Sequence, residues 1–420
     1  MQNRTDILVL DGGVPVRQTL LPYGHQKIDD DDIHAVVEVL RSDWITTGPQ
    51  VAAFEAAFAE YVGAKYAVSC SSGTAALHAA VFAAGIGPGD EVITTPMTFA
   101  ASANCVLYQG GIPIFVDVRP DTLNIDPSRI KSAITAKTKA IIPVDYTGQP
   151  VDLDEINAIA AEHNLVVIED AAHALGARYR QRPIGTLTTM TTFSLHPVKH
   201  ITTGEGGMIT TDDAELARRL RMFRNHGITT EARDRQEQAS WFYAMVALGY
   251  NYRLTDFQCA LGLSQLQKLA GWLAHRREIA DRYTAAFAEM PEIQPPVIVS
   301  DRESAWHLYV IQLNLEHLRV GRDQIFQALR AENIGVNVHY IPVPLHPYYQ
   351  KLGYGKGRWP VAESAYERIM SLPIFPMMSD QDVDDVITAC AKVIRAYHKE
   401  VRVLRNVPFS SAEQLITNHR

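Results

Sequence analysis

The sequence predicts an α/β fold, with a mostly parallel sheet of about seven strands in a large domain and a smaller α+β domain behind it. Short runs rich in Val and Ile recur at 66–70, 91–95, 113–118, 139–144, 165–169, 191–195 and 207–211. Helical patterns at 74–84, 100–109, 127–134 and 153–163 alternate with them. Most of the runs are continuous rather than alternating, as expected when helices cover both faces of a sheet. The 420-residue length exceeds one ordinary core, so two domains are expected. The large one spans 1–265 and the small one 266–400, leaving a tail at 401–420 without strong periodicity.

Ahead of the sheet, Asp29 to Asp32 precede Ile33, Val36, Val37 and Leu40. Offsets of three and four, with acids in the first turn, predict an amphipathic helix. Residues 42–49 form a loop and 51–61 a second helix. Beyond the sheet, 230–240 is a polar excursion, and a long helical pattern runs over about 255–290. A strand at 306–313, a helix at 322–332, a strand at 336–341 and a helix at 380–397 make up the small domain.

Composition narrows the function. Hydrophobic content of 47% with 20% charge is that of a soluble globular protein. The net charge of −8 and the lack of a basic stripe argue against nucleic acid. Arg218, Arg219, Arg221 and Arg224 cluster only as the solvated side of a helix would. No run approaches the roughly 18 apolar residues of a membrane span, and the start has no signal-peptide pattern. Cys70, Cys105, Cys259 and Cys390 are too scattered for a zinc site or a disulfide framework. The reading is of a cytoplasmic protein without a metal.

Four segments sit where strands give way to loops, the usual place for ligands in open α/β sheets. In Cys70-Ser-Ser-Gly-Thr-Ala-Ala76, a strand ends and a helix opens with free N–H groups, which suits a phosphate. Plain N-capping by Ser72 or Thr74 explains the same residues. In Val166-Val-Ile-Glu-Asp170-Ala-Ala-His173, a buried strand delivers carboxylates and a histidine. A buried carboxylate needs a positive partner, such as a cationic ring nitrogen, although a turn cap and a packed histidine also fit. Lys199 follows a strand and precedes Gly204, Gly206 and Gly207. Desolvated near cationic ring chemistry, its amine would have a lowered pKa and act as a nucleophile. Ser194 could reach a phosphate in the same crevice. The fourth segment, Gly249-Tyr-Asn-Tyr-Arg-Leu-Thr-Asp256, is a helix start or a group reaching a neighbouring subunit's site. Neither Gly85-Ile-Gly-Pro-Gly-Asp90 nor Gly204-Glu-Gly-Gly207 has the context of a dinucleotide or Walker loop.

A phosphate cradle, an acid for a pyridinium and a lysine for a Schiff base together describe pyridoxal 5'-phosphate. In that order the chain resembles the fold-type I aminotransferases, and more narrowly the DegT/DnrJ/StrS sugar aminotransferases, from about position 22 to 394. The matching stretches include Asp43-Trp-Ile-Thr-Thr-Gly-Pro49, Ser71-Ser-Gly-Thr-Ala75, Glu169-Asp-Ala-Ala-His-Ala-Leu-Gly176, Phe193-Ser-Leu-His-Pro-Val-Lys199 and the 249–256 segment. The resemblance implies that Lys199 holds the cofactor and shuttles protons, and that Asp170 pairs with the ring nitrogen. It places His173 by the ring's 3-oxygen and Phe99 on the ring face. Gly73, Thr74 and Ser194 would hold the phosphate, joined by Asn251 of a second subunit, which makes a homodimer part of the expectation.

Within the family, His196-Pro-Val-Lys199, Asp145-Tyr-Thr-Gly-Gln-Pro150 and Asn337-Val-His-Tyr-Ile-Pro342 resemble the pseudaminic acid branch. That branch aminates C4 of a UDP-4-keto-6-deoxy-N-acetylhexosamine, with L-glutamate as donor. Tyr23, Thr46, His339 and Tyr340 would face the sugar nucleotide. The 4-aminoarabinose and bacillosamine branches share the general pattern. A sugar dehydratase would carry histidine in place of Lys199, and a cofactor-binding regulator would need an added DNA-binding domain.

Overall fold

The computed structural model describes residues 4–230, 235 and 239–399. The tail expected at 401–420 and part of the 230–240 excursion lie outside them. The strands in chain order are β1 (Tyr66–Cys70), β2 (Glu91–Thr94), β3 (Ile112–Phe115), β4 (Thr138–Ile142), β5 (Val166–Asp170), β6 (Arg178–Tyr179), β7 (Arg182–Pro183), β8 (Met190–Ser194), β9 (Gly207–Thr211), β10 (Ile293–Gln294), β11 (Arg302–Glu303), β12 (Tyr309–Leu313) and β13 (Ile369–Leu372).

The main sheet has seven strands in the order β1-β9-β8-β5-β4-β2-β3. Only β9 runs against the others, paired antiparallel with both β1 and β8. The helices Gly73–Ala83 and Leu153–His163 pack on opposite faces of it, so its strands bury both faces. That accounts for the continuous apolar runs. A separate three-stranded sheet, β10-β12-β13, carries a second core with helices Arg322–Ala331 and Asp380–Tyr397.

The helix Asp256–Phe287 links the two cores. It places Cys259, Leu266, Leu269 and Trp272 in the first and Ile279, Tyr283 and Phe287 in the second. The boundary expected at 265/266 falls inside this unbroken helix. Leu8 and Leu21 also pack into the second core, so the N-terminal lead sits with the C-terminal residues.

Three expectations need correction. The helix Asp30–Arg41 forms, but Ile33 (54%) and Leu40 (57%) are exposed, while Asp32 and Val39 are buried. Asp32 is held inward by the long helix, accepting from Ser264 Oγ and Gln265 Nε2 at 2.6 Å each and pairing with Lys268 at 2.9 Å. A buried carboxylate so satisfied outweighs the apolar stripe in setting the helix's rotation. The strand expected at 306–313 begins only at Tyr309, because residues 305–308 bond as a turn to Thr147 and Gly148. The strand expected at 336–341 is irregular, paired to β13 only at Asn337–Ser371. Two of its side chains, His339 and Tyr340, turn to a cavity, while Val336 joins the second core.

Candidate active site

The carboxyl ends of β1, β2, β5 and β8 converge on a cavity of about 470 Å³. Its lining holds Tyr23, Gly73, Thr74, Phe99, Asp170, His173, Ser194, Lys199, His339 and Tyr340, all singled out above. Gly73, Asp170 and Lys199 meet there because β1, β5 and β8 are parallel and put their carboxyl ends on one edge.

At one end, β1 passes through Ser71 and Ser72 into the helix Gly73–Ala83. Ser72 is its N-cap, with Oγ accepting from Ala75 N at 3.0 Å. The capping reading of Ser72 therefore holds, and the first turn's remaining N–H groups face the cavity end. Gly73 leaves room there: a Cβ would stand 3.0 Å from Ser194 Cβ and 3.2 Å from its Oγ, and Ser194 would have to give way. The helix start and Ser194 together form a polar corner of the cavity.

At the other end lies Asp170, the last residue of β5, only 4% exposed. Its Oδ2 accepts from Ser102 Oγ at 2.6 Å and its Oδ1 from Ala172 N at 3.2 Å. Burial raises its pKa, opposed by these bonds and by the charge of Lys199. His173 Nε2 bonds Tyr340 Oη at 3.0 Å, while its buried Nδ1 has no partner. Burial drives the His173 ring well below its ordinary pKa, so it is neutral.

Lys199 sits between these ends on the loop after β8, which folds back through Leu195 N to Gly206 O at 2.8 Å. Burial lowers its pKa to about 8, and Asp170 resists the shift. The amine is thus far easier to deprotonate than an exposed lysine.

Two predicted residues are not brought to this cavity. Asn251 is exposed and pairs its backbone with Asn225. Thr46 lines a different cavity of about 830 Å³ with Arg221, Arg224 and Arg253. Conversely, Ser102, His307 and Glu205 line the lysine's cavity without having been singled out. Ser102 reaches Asp170 only through packing of the helix Ala101–Tyr108, and His307 arrives on the turn before β12. No local spacing signals either one.

The residues present fit pyridoxal phosphate. The polar corner where Gly73 leaves room suits its phosphate, a buried acid suits its ring nitrogen, and a desolvated amine stands between them. Among the described residues, no group of three or more acidic, histidine or cysteine side chains could hold a metal.

The chain matches the DegT/DnrJ/EryC1/StrS aminotransferase family over residues 26–391. It is 46% identical to the spore coat polysaccharide biosynthesis protein SpsC of Bacillus subtilis, over 91% of this chain and 99% of that one. The "Putative sugar aminotransferase Spr1654" of Streptococcus pneumoniae, solved in its PLP form, superposes with a TM-score of 0.85 at 34% identity, covering 90% of this chain and 99% of that one. Helicobacter pylori PseC, an aminotransferase involved in pseudaminic acid biosynthesis, gives 0.84 at 32% identity over 90% of this chain and 100% of its own.

Proposed function

The chain belongs to the DegT/DnrJ/EryC1/StrS aminotransferase family, and from that premise we propose that it moves the amino group of L-glutamate to C4 of a UDP-4-keto-6-deoxy-N-acetylhexosamine. It is a pyridoxal phosphate-dependent sugar aminotransferase. The narrower substrate is UDP-2-acetamido-2,6-dideoxy-β-L-arabino-hex-4-ulose, a precursor of pseudaminic acid. The likeness to H. pylori PseC supports it, together with the 145–150, 196–199 and 337–342 segments.

The observation that carries the reading is the single cavity joining Lys199, Asp170 and the Gly73–Ser194 corner. When bound, pyridoxal phosphate supplies an aldehyde carbon that takes up an amine and a protonated ring that withdraws electrons. Gly73, Thr74 and Ser194 hold its phosphate. Asp170 keeps a negative charge against the ring nitrogen and so keeps that nitrogen protonated. His173 bonds the ring oxygen and Phe99 covers the ring face. Lys199 would hold the cofactor at rest, and its Nζ, made easier to deprotonate by burial, would take up and release a proton in the cavity. Glutamate and sugar use the site in turn, so the kinetics are ping-pong.

Tyr23, His339 and Tyr340 also line the cavity, and we assign them to the sugar. Thr46 and Asn251 serve a partner's site across a homodimer, Asn251 bonding the partner's phosphate. The exposure of Trp241 (85%), Phe242, Met245, Val246 and Leu248 (75%), close to Asn251 in the chain, supports such a contact.

Two measurements test this. Lys199→Ala should abolish both the visible absorbance of the bound cofactor and turnover; normal turnover would end the assignment. Incubation with glutamate and a panel of UDP-4-keto sugars should aminate the L-arabino-configured ketone alone. Amination of the 4-aminoarabinose or bacillosamine precursors instead would overturn the narrow substrate.

A further inference from the structure

A second nitrogen base stands against the lysine. His307 Nε2 lies 3.4 Å from Lys199 Nζ, across 108 positions of sequence. The ring is buried, and it packs on His173 with centroids 4.4 Å apart and on His200 at 5.5 Å. Its Nδ1 has no partner.

The backbone spends conformational freedom to place this ring. Trp306, just before it, has φ +50, a left-handed conformation unusual for a bulky residue. Three contacts hold the turn. Ala305 N donates to Gly148 O at 2.9 Å and Leu308 N to Thr147 O at 3.2 Å. Gly148, at φ +109, has no room for a side chain, since a Cβ would meet Trp306 N at 3.0 Å and His307 N at 3.1 Å. Behind the turn, the buried Arg276 guanidinium donates through Nη1 to the carbonyls of Trp306, His307 and Ile374 at 3.1, 3.3 and 2.9 Å. A cation buried against three carbonyls and a strained residue both fix one imidazole beside one amine.

We propose that His307 is a positioning residue for Lys199, its Nε2 accepting a hydrogen bond from the lysine nitrogen and holding it at the cavity floor whenever that nitrogen is free. The proposal rests on the reading of Lys199 as the amine that holds the cofactor. Burial and the neighbouring positive charge of Lys199 keep His307 neutral, and with its one proton on Nδ1 the ring offers Nε2 as acceptor to the lysine. The other groups facing or adjoining the amine are Asp170 and His173 after β5, His200 on its own loop, His339 and Tyr340 from the 336–343 segment, and Glu205 at the loop's end. His339 is a neutral ring bonded to Ser371 Oγ at 2.8 Å, and Asp170 is engaged by Ser102. Among the described residues, His307 Nε2 is the acceptor within hydrogen-bond distance of Nζ.

The test uses the cofactor-free protein, so it reads the lysine and not turnover. The rate at which it captures pyridoxal is followed by absorbance across pH, giving a plateau rate and a midpoint for the amine. An acceptor bonded to the ammonium favours the charged form. His307→Leu should therefore lower the midpoint and reduce the plateau about tenfold, while His307→Gln, whose amide oxygen can accept, should restore both to within about threefold. If the Leu variant does not fold, Gln is compared with His307→Asn, whose shorter side chain cannot reach; Asn should then show the loss. A Leu variant that behaves as wild type, or a Gln variant as impaired as Leu or Asn, overturns the proposal. Lys199→Ala, run beside them, should capture no pyridoxal in the cavity. Capture there would overturn the reading of Lys199 itself, independently of His307.

Discussion

The hydroxyl of Ser102 donates to Oδ2 of Asp170 at 2.6 Å, joining residues 68 positions apart in the chain. The same hydroxyl oxygen lies 2.7 Å from Thr98 Oγ1, so a short relay fixes the carboxylate from the loop after β2. Burial pushes the Asp170 carboxyl toward protonation, and the Ser102 bond opposes it. Ser102→Ala should let that pKa rise and weaken the charge offered to the cofactor's ring. A bond to a charged acceptor contributes about 1.5–3 kcal/mol, so cofactor affinity should fall by roughly ten- to a hundredfold. Absorbance titration of the cofactor-free protein measures it, and unchanged affinity would remove Ser102 from the site.

Gly73→Ala separates stability from binding. Alanine is favoured over glycine inside a helix by up to about 1 kcal/mol, and Gly73 opens the helix Gly73–Ala83. Its Cβ would crowd Ser194 at 3.0 Å. The variant should melt within a degree or two of wild type without cofactor, yet bind pyridoxal phosphate at least tenfold more weakly. Wild-type affinity would show that no phosphate sits between Gly73 and Ser194.

How far the site could be read in the sequence depended on how local its signals were. Lys199, Asp170 and Gly73 stand at strand ends within short recognisable runs, and the parallel sheet then brings them together. Ser102 and His307 have no such run. One is aimed by the packing of a helix, the other by a turn clasped to Thr147 and Gly148. The seven strands were legible because burial on both faces leaves continuous apolar runs. The segment 336–341 has a similar β-prone composition, but it pairs at one position only, and His339 and Tyr340 serve a cavity. Periodicity misjudged the helix Asp30–Arg41 for a related reason: Asp32, a polar residue, is its buried anchor.

Behind Asp170, burial pushes the fully buried Asp145 and Glu169 toward the protonated form, and the nearby Glu169 pushes Asp145 further the same way. Burial is the larger cause, and Glu169 is pushed up from its ordinary 4.5 to about 7, with Asp145 also raised well above its usual range. The folded protein thus binds a proton that the unfolded chain releases. The stability this provides is fully present below about pH 4.5 and is lost as pH rises through about 7. Glu169→Gln replaces that proton with a permanent amide donor. The variant should show a flatter dependence of unfolding free energy on pH between 5 and 8, and should be the more stable protein at pH 8. Denaturant titrations at pH 5, 6.5 and 8 read this directly, and parallel curves for both proteins would refute the proton held by Glu169.

The proposed sharing of sites across a homodimer has a quantitative consequence. If Asn251 serves the partner's cofactor, Asn251→Ala and Lys199→Ala each disable every site in their own homodimers. A hybrid of the two carries one site with Lys199 from the first chain and Asn251 from the second, both intact, and one site with neither. Random reassembly makes half the dimers hybrid, and half of their sites native, so mixing two inactive proteins should return about a quarter of wild-type activity. If Asn251 acted within its own chain, every site in the hybrid would still lack one residue and mixing would restore nothing. The exposure of Asn251 and its absence from the lining of its own chain's cavity favour the first outcome. Subunit exchange under mild denaturant, followed by assay of the mixture against each parent, decides between them.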